Sequence, residues 1–176
     1  VVITTVILHG FSIGWLARRL ELAGTINEGI LIVGAHKWST DLALKLQEAG
    51  CPVLVVSDSW KNLQQSRLQG IPIHYGEILS ESVDENLELA DMGYLLATTG
   101  NHAYNSLVCS VFIQHFGRNR VFQIATNEKK TEKKQLSGLF RGKVLFGGNL
   151  VYKELILQYI DGWRFQRTKL TEEFDF

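Results

Sequence analysis

Residues 30–46 read ILIVGAHKWSTDLALKL, a short apolar strand pattern followed by a glycine turn and an amphipathic helix pattern. The run at 30–33 is uncharged and rich in β-branched residues, which is typical of a strand buried on both faces of a sheet. Thr40 and Asp41 are start signals for the helix and Gly50 is a stop signal. The apolar positions recur at helical spacing: Leu42, Ala43, Leu46 and Ala49. This stretch therefore predicts the first strand, turn and helix of a βαβ unit.

The same pattern continues along the chain to residue 125. Apolar runs that predict strands occur at 30–33, 53–56, 71–75, 94–97 and 121–125, so their starts lie 23, 18, 23 and 27 residues apart. Helical patterns fill the gaps, and Gly70 and Gly117 lie where two of the helices are expected to end. The helix before Gly117 is expected to bury one face: Val108, Val111, Phe112 and His115. Right-handed crossovers then favour an α/β fold with a doubly wound, Rossmann-like parallel sheet in the order 3-2-1-4-5.

Two different regions flank this unit. Residues 1–17 contain no charged side chain and are followed by Arg18 and Arg19. This length is at the lower limit of a membrane span, about 17–25 residues, and basic residues commonly follow a span on the cytoplasmic side. A buried or amphipathic N-terminal helix explains the pattern equally well. The first residue is Val1 rather than Met, so we expect the chain to be part of a longer protein.

Composition changes again after residue 125. The run TNEKKTEKK (126–134) has the charge density of a solvated linker, and residues 143–176 predict a short strand at 144–146, a helix at about 150–160 and an extended tail. The expected organisation is an N-terminal segment at 1–28, a Rossmann-like domain at 29–125, and a linker with a strand-helix extension at 126–176.

Composition excludes several classes of protein. Eighteen Lys and Arg balance eighteen Asp and Glu, so no overall basic field favours nucleic acid as a partner. Two cysteines without paired spacing argue against a disulfide-rich secreted scaffold. The five histidines lack the H-x-x-H and H-x-x-x-H spacings, and the sequence contains no nucleophile elbow. We therefore predict neither a metal site nor catalytic residues.

The first strand-to-helix turn is the most informative candidate site. Dinucleotide-binding folds place G-x-G-x-x-G here, so that the backbone approaches a pyrophosphate at the helix N-terminus. Only the first glycine is present, as Gly34, with His36 and Ser39 at the other two glycine positions. Ala35 and Lys37 complete the candidate turn, and the Lys37 ammonium is expected to meet a phosphate. The alternative is a Rossmann turn that has lost its ligand.

Polar residues follow the second, third and fourth predicted strands. Asp58 ends the segment VVSD, about 20 residues after the glycine turn. Folds of this kind use a carboxylate at this position to hold ribose hydroxyls. The negative charge of Asp58 would repel the 2′-phosphate of NADP. The alternative role for Asp58 is an Asx turn or a helix N-cap. The other candidate binding residues at the carboxyl ends of strands are Ser59, Gly76, Glu77, Thr98 and Thr99. These too are explained equally well by ordinary turn chemistry.

Together these motifs resemble the RCK N-terminal domain, also called KTN or TrkA-N, the cytosolic nucleotide-sensing domain of potassium channels and cation transporters. The matching segments are ILIVGA (30–35), VLVVSD (53–58), Gly76-Glu77 and ATTGNHAYN (97–105). GAHKWSTDLA (34–43), VVSDSW (55–60), HYGEILSE (74–81) and FGRNRVFQIA (116–125) are closer to the C-terminal region of NhaP-like sodium (or potassium)/proton antiporters. LHGFSIGWLARRLEL (8–22) is similar to the end of their last transmembrane helix, and GWRFQRTKLTEEF (162–174) to their tail.

The resemblance implies a regulatory, non-catalytic domain on the cytoplasmic side of a multi-pass antiporter in the cell membrane. Its partners would be the transmembrane domain of the same chain and a second copy, paired through the apolar helix at 106–116. The implied cofactor is NAD(H) or an adenine mononucleotide such as AMP or ATP. The alternatives are a dimerisation module with a vestigial site and, in another class, an NAD-dependent oxidoreductase.

Several positions depart from the family pattern. His36 and Ser39 replace fingerprint glycines, and His102 and Ala103 stand where the family usually has acidic residues before the Asn. Because His36 adds a Cβ where a pyrophosphate needs bare backbone, we expect modest affinity and a better fit for a mononucleotide than for a dinucleotide.

Overall fold

The computed structural model describes residues 28–80, 89, 91–126 and 141–168. All of the expected N-terminal segment at 1–28 except residue 28 lies outside these residues. Residues 127–134 of the expected linker and residues 169–176 of the expected tail also lie outside them. Within the described ranges, no helix combines the length and the apolar character that a membrane crossing requires.

The core of the molecule is a six-stranded, all-parallel sheet in the order β3-β2-β1-β4-β5-β6. Its strands are β1 (Gly29–Val33), β2 (Val53–Ser57), β3 (Ile73–Tyr75), β4 (Met92–Ala97), β5 (Val121–Gln123) and β6 (Lys143–Val144). The predicted order is confirmed, and β6 adds a strand beyond β5. The change of direction from β1 to β4 places the carboxyl ends of these two central strands beside a crevice, where doubly wound folds bind ligands.

Among the described residues, four α-helices cover the two faces of the sheet. They are α1 (Lys37–Glu48), α2 (Trp60–Leu68), α3 (His102–Phe116) and α4 (Tyr152–Ile160). Alternate residues of β1 take part in different clusters: Leu31 packs with the cluster that includes Phe112 of α3, and Ile32 with the cluster that includes Leu63 of α2. All four side chains are at most 3% exposed, so the sheet is buried on both faces, as its uninterrupted apolar strands predict.

Some helical details differ from the sequence predictions. The first helix begins at Lys37, three residues before Thr40, and Ala49 at its end is exposed. In α3, Val108 and Phe112 are buried as expected, but Val111 is 43% exposed and His115 is also exposed. The buried stripe of α3 instead includes Asn105 and Cys109, because a helix keeps positions i, i+3, i+4 and i+7 on one face.

The C-terminal extension forms part of the same core. The predicted strand at 144–146 is wrong in its bounds: β6 ends at Val144, and a 3-10 turn (Leu145–Gly148) follows, with Phe146 in the left-handed region at φ 55°. This turn redirects the chain toward α4, which begins at Tyr152. Leu155 of α4 is fully buried against Trp38 of α1 and Ile124 after β5. The extension is therefore fixed next to the start of α1.

Candidate functional site

A cavity of about 330 Å³ opens at the carboxyl ends of the central strands. Seven of the predicted site residues line it: Gly34, Ala35, His36, Asp58, Gly76, Glu77 and Thr99. This volume is at the lower end of the range for small-molecule sites, about 300–1,000 Å³. Four segments that are distant in sequence thus meet at one crevice. The other four predicted residues, Lys37, Ser39, Ser59 and Thr98, do not line this cavity.

Gly34 forms the floor of the cavity and requires the absence of a side chain. Its φ is +105°, a region that residues with a Cβ rarely adopt, and its N–H donates to the Val56 carbonyl at 2.8 Å. A Cβ built on Gly34 would lie 2.9 Å from Cγ2 of Thr99. The backbone can therefore approach a ligand here as it does in dinucleotide-binding turns.

Ser39 stabilises the turn through hydrogen bonds of its buried hydroxyl. Its buried Oγ accepts a hydrogen bond from the His36 N–H at 2.9 Å and lies within donating distance of the Gly34 carbonyl, also at 2.9 Å. A glycine at this position would allow close packing but would not bond the turn. Ser39 thus has a structural role.

Thr98 and Asn105 fix the neighbouring loop after β4. The buried Thr98 hydroxyl lies 2.9 Å from the carbonyl oxygens of Val33 and Gly34, which ties β4 to the end of β1. Asn105 is fully buried; its Oδ1 accepts from the Thr99 N–H at 3.2 Å and its Nδ2 donates to the Thr99 carbonyl at 2.8 Å. These bonds hold Thr99 at the cavity wall, and Thr98 serves the scaffold.

Asp58 places an exposed carboxylate on the cavity, immediately after β2. Ser59, and not Asp58, occupies the N-cap position of α2, so Asp58 is not the N-cap residue of this helix. The Ser59 N–H contacts Ser57 Oγ at 3.2 Å, so Ser59 belongs to the turn. The side chain of Asp58 is in the position where ribose hydroxyls are held in folds of this kind.

The family follows from comparison with known proteins. A sequence model of the TrkA-N domain matches residues 30–140. The chain belongs to the TrkA-N family. This confirms the resemblance to the RCK N-terminal domain. No curated protein sequence matches the chain.

Two solved structures share the fold of this TrkA-N domain. One is the TrkA-N domain of the inner membrane protein ybaL from Escherichia coli, at 16% identity and a TM-score of 0.52, covering 76% of this chain and 93% of that one. The other is the NAD(P)-binding domain of an exopolyphosphatase-related protein from Archaeoglobus fulgidus, at 16% identity and a TM-score of 0.55, covering 76% of this chain and 95% of that one.

Other cavity residues of this TrkA-N domain are absent from the predicted set. They are Val33, Val56, Ser57, Asn62, Ile78, Gly100, Asn101 and Tyr104. Gly100, Asn101 and Tyr104 belong to the family segment ATTGNHAYN, and Gly100 and Asn101 also follow the fourth predicted strand. Asn62 lies in the first turn of α2, and no motif marks it. Residues of this kind are recognised only once the strand ends and helix starts have been brought together.

Tyr104 and Glu77 connect the loops after β4 and β3. The Tyr104 hydroxyl hydrogen-bonds Glu77 Oε1, which also accepts from the Leu79 N–H at 3.3 Å. Burial raises the pKa of the Tyr104 phenol, and the nearby carboxylates of Glu77 and Asp58 raise it further. The phenol therefore remains a protonated donor at neutral pH, and Glu77 is held in place for a ligand in the cavity.

His36 connects the turn to the C-terminal extension. Its ring packs edge-on against Tyr152 of α4, with centroids 5.3 Å apart and an interplanar angle of 75°. Tyr152 also covers Gly100, where an added Cβ would lie 2.8 Å from the Tyr152 ring. Burial lowers the pKa of His36, which favours the neutral imidazole in the folded protein.

The neutral state of His36 predicts a contribution to acid sensitivity. The folded-state pKa lies below the ordinary value of 6.5, so as the pH falls through 6.5 the unfolded chain gains the proton first and the free energy of unfolding decreases. Above pH 6.5 the imidazole of His36 is mostly neutral in both the folded and the unfolded chain, so it adds little pH dependence to the free energy of unfolding. Urea denaturation of the parent chain and of His36→Gln between about pH 8 and pH 5 should show a smaller acid loss for the variant. Parallel pH profiles for the two proteins would contradict this assignment.

Among the described side chains, no three His, Cys, Asp or Glu residues are grouped so that they could hold a metal ion. The polar groups of the cavity are a carboxylate pair, amides, hydroxyls and one neutral imidazole. This set can hydrogen-bond a polyhydroxylated ligand.

Proposed function

We propose that this TrkA-N domain senses an adenine nucleotide and regulates, without catalysing, a monovalent cation/proton antiporter. The observation that carries the nucleotide assignment is the meeting of Gly34 and Asp58 at one cavity. The ligand lies with its ribose hydroxyls on the Asp58 carboxylate and its phosphates over the Gly34 turn. A regulatory domain requires only a site that binds its ligand better in one state of the transporter than in another.

The charges around the cavity favour a ligand with few free phosphates. Asp58 and Glu77 are both acidic, and neither Lys nor Arg is among the cavity-lining residues of the described chain. Phosphates are therefore stabilised by the N–H groups at the start of α1 and not by a cationic clamp. A ribose 2′-phosphate would lie against Asp58. This arrangement favours NAD(H) or AMP over NADP.

The antiporter assignment is supported by sequence. The segments at 8–22 and 162–174, together with the turn sequence at 34–43, are similar to the corresponding regions of NhaP-like antiporters and occur in the same order. The E. coli relative in fold is described as an inner membrane protein. We propose that this domain lies on the cytoplasmic side of the cell membrane as part of such a protein.

A paired NAD and NADP experiment tests the nucleotide assignment. Calorimetric titration of the chain with each ligand should give at least about tenfold tighter binding of NAD, because the 2′-phosphate is repelled by Asp58. Asp58→Asn should reduce this preference by removing the negative charge. Equal affinity for the two ligands in the parent chain would contradict the ribose position.

A separate experiment on the whole protein tests the antiporter assignment. The reading frame upstream of Val1 should encode ten or more hydrophobic spans, and membrane vesicles containing the whole protein should exchange sodium or potassium for protons at a rate that changes with nucleotide. A start codon directly before Val1 would exclude the antiporter assignment while leaving the nucleotide site unaffected.

We also propose that the domain forms a homodimer through the outer face of α3. Leu107 and Val111 on this helix are 52% and 43% exposed, although both are apolar. Exposed apolar faces of this kind commonly pair.

Sedimentation of the chain over a wide concentration range should show a dimer, and a monomer at high concentration would contradict the homodimer. If no nucleotide binds but the dimer forms, the alternative of a dimerisation module with a vestigial site replaces nucleotide sensing.

A further inference from the structure

The C-terminal extension carries a disproportionate share of the exposed apolar surface. Of the ten large apolar side chains that are exposed in the described part of the chain, five lie in residues 141–168, which make up less than a quarter of that part. They are Val144, Phe146, Leu157, Ile160 and Trp163. None of the five lines the nucleotide cavity. Contiguous exposed apolar surface marks a site of interaction with another protein or with a membrane.

Three aromatic rings of the extension form one continuous surface, which we call the aromatic face: Phe146, Trp163 and Phe165. The ring centroids of Phe146 and Phe165 lie 6.4 Å apart, and those of Trp163 and Phe165 lie 4.7 Å apart. Phe165 is partly buried, whereas Phe146 and Trp163 are 37% and 39% exposed. Among the described residues other than glycine, Phe146 alone has a positive φ, which is unfavourable for a residue with a Cβ. Backbone strain at a residue whose ring stays at the surface is typical of a functional site.

Basic side chains accompany the aromatic face. Residues 141–168 contain five Lys and Arg but two Asp and Glu, a net charge of +3 in a chain whose net charge is zero. Lys143, Arg164 and Arg167 are all exposed. Arg164 is held beside Trp163, because its guanidinium donates to the Trp163 carbonyl at 2.6 Å. The extension therefore combines exposed aromatic rings with an excess of positive charge.

The carboxylates of α1 beneath the tail already have partners. Asp41 Oδ2 accepts a hydrogen bond from the Phe165 N–H at 3.1 Å, and the Glu48 carboxylate pairs with Lys45 at 2.8 Å. The Arg167 guanidinium donates to the backbone carbonyl of Glu48, also at 2.8 Å. These bonds fix the tail along α1 without using its positive charges in ion pairs, so the charges remain available to an anionic surface.

The tail leads to the edge of the sheet at which residues 1–27 join the domain. Arg167 reaches the end of α1 at Glu48, and the thiol of Cys51, three residues further along, donates to the Glu28 carbonyl at 3.1 Å. The first described residue and the tail thus meet at one edge. Residues 18–27 can span at most about 36 Å when fully extended. An uncharged segment at 1–17 inserted in a bilayer would therefore keep this edge close to lipid.

We propose that the aromatic face binds the cytoplasmic surface of a bilayer that contains anionic lipid. Trp163 and Phe146 lie among the headgroups, and Lys143, Arg164 and Arg167 contact the lipid phosphates. Tryptophan suits this interface because its ring is apolar and its N–H is polar. Basic side chains near an anionic leaflet each add to the affinity. This inference rests on the proposed antiporter assignment and gives the domain a second attachment to the membrane.

Binding of the whole chain to lipid vesicles, measured by co-sedimentation, tests this proposal. The vesicles contain phosphatidylcholine alone or with one-third phosphatidylglycerol. Trp163→Ala is compared with Trp60→Ala, because Trp60 on α2 is similarly exposed, at 44%, but lies outside the aromatic face. Lys143→Gln is compared with Lys61→Gln, since both lysines are exposed. Lys143→Gln removes a charge without removing an aromatic contact, so it remains informative if Trp163→Ala loosens the tail.

The parent chain should bind the anionic vesicles at least about tenfold more tightly than the neutral ones. Trp163→Ala should weaken binding to anionic vesicles by about tenfold, and Lys143→Gln by about fivefold. Trp60→Ala and Lys61→Gln should bind like the parent. Residues 1–17 are the same in every protein, so their own affinity for lipid does not affect these differences.

Equal affinity of the parent for the two kinds of vesicle would overturn the inference, as would Trp163→Ala or Lys143→Gln binding like its control. A change in the sedimentation of Trp163→Ala without vesicles would also overturn it, because the aromatic face would then be a contact between copies of the chain. These outcomes are independent of the proposed function: the upstream reading frame decides the antiporter assignment, and calorimetry with nucleotides decides the binding site.

Discussion

Replacing Asp58 by alanine is expected to weaken adenine-nucleotide binding by about 10- to 100-fold, because a hydrogen bond to a charged group contributes about 1.5–3 kcal/mol. The carboxylate is exposed at the end of β2, so its removal should leave the free energy of unfolding nearly unchanged. Titration calorimetry with NAD and AMP measures the first effect, and urea denaturation the second.

Asp91→Ala is the matched control for this variant. Asp91 is also exposed, but it precedes β4 and so lies at the opposite end of the sheet from the cavity. Its loss should leave the nucleotide affinity unchanged. If Asp58→Ala binds as tightly as Asp91→Ala, the ribose is not held by Asp58 and the cavity has another use.

Gly34→Ala is expected to lower the free energy of unfolding by about 2–5 kcal/mol, from the combined costs of backbone strain and overpacking. Alanine at φ +105° is strained, and its Cβ would lie 2.9 Å from Thr99 Cγ2 and 3.1 Å from Thr98 Oγ1. Both threonines are fixed, Thr98 by its own hydrogen bonds and Thr99 by Asn105, so neither can easily move away. Nucleotide affinity should fall as well, since the turn forms the cavity floor.

Gly50→Ala separates strain from crowding. Gly50 also has a positive φ, +86°, but a Cβ there would meet nothing within 4 Å. This variant should lose only the strain contribution, about 1–2 kcal/mol. Urea denaturation of both variants measures the difference. Equal losses would show that the packing of Thr99 on Gly34 contributes nothing.

The fold could be predicted from sequence because its determinants are local. Each strand is a short apolar run, each helix has its own period, and right-handed crossovers leave few arrangements of five such units. The ends of the elements follow less directly from local sequence. The strand predicted at 144–146 ended early because Phe146 and Gly147 turn the chain at positive φ, which the apolar pattern of LF does not reveal.

The candidate site was predictable only where it follows from topology. Gly34, Asp58 and Glu77 could be assigned because parallel strands end at one edge, so residues after them converge. Sequence alone could not separate lining residues from supporting ones. Ser39 and Thr98 are recognised as supporting residues by their burial and by the backbone carbonyls that their hydroxyls contact.

The contact between His36 and Tyr152 cannot be predicted from sequence patterns. It joins residues 116 positions apart, through an extension whose packing depends on Leu155 entering the core beside Trp38. The sequence identified His36 as the departure from the glycine fingerprint. The structure adds that its ring packs against Tyr152 at the edge of the cavity, which no spacing rule predicts.

A crystal structure of the chain with bound NAD tests the central claim, that Gly34 and Asp58 form one nucleotide site, most directly. The account predicts ribose hydroxyls within hydrogen-bond distance of the Asp58 carboxylate and phosphates over the Gly34 turn, at the start of α1. NAD bound elsewhere on the domain, or a cavity that remains empty of nucleotide at saturating NAD and at saturating AMP, would contradict it.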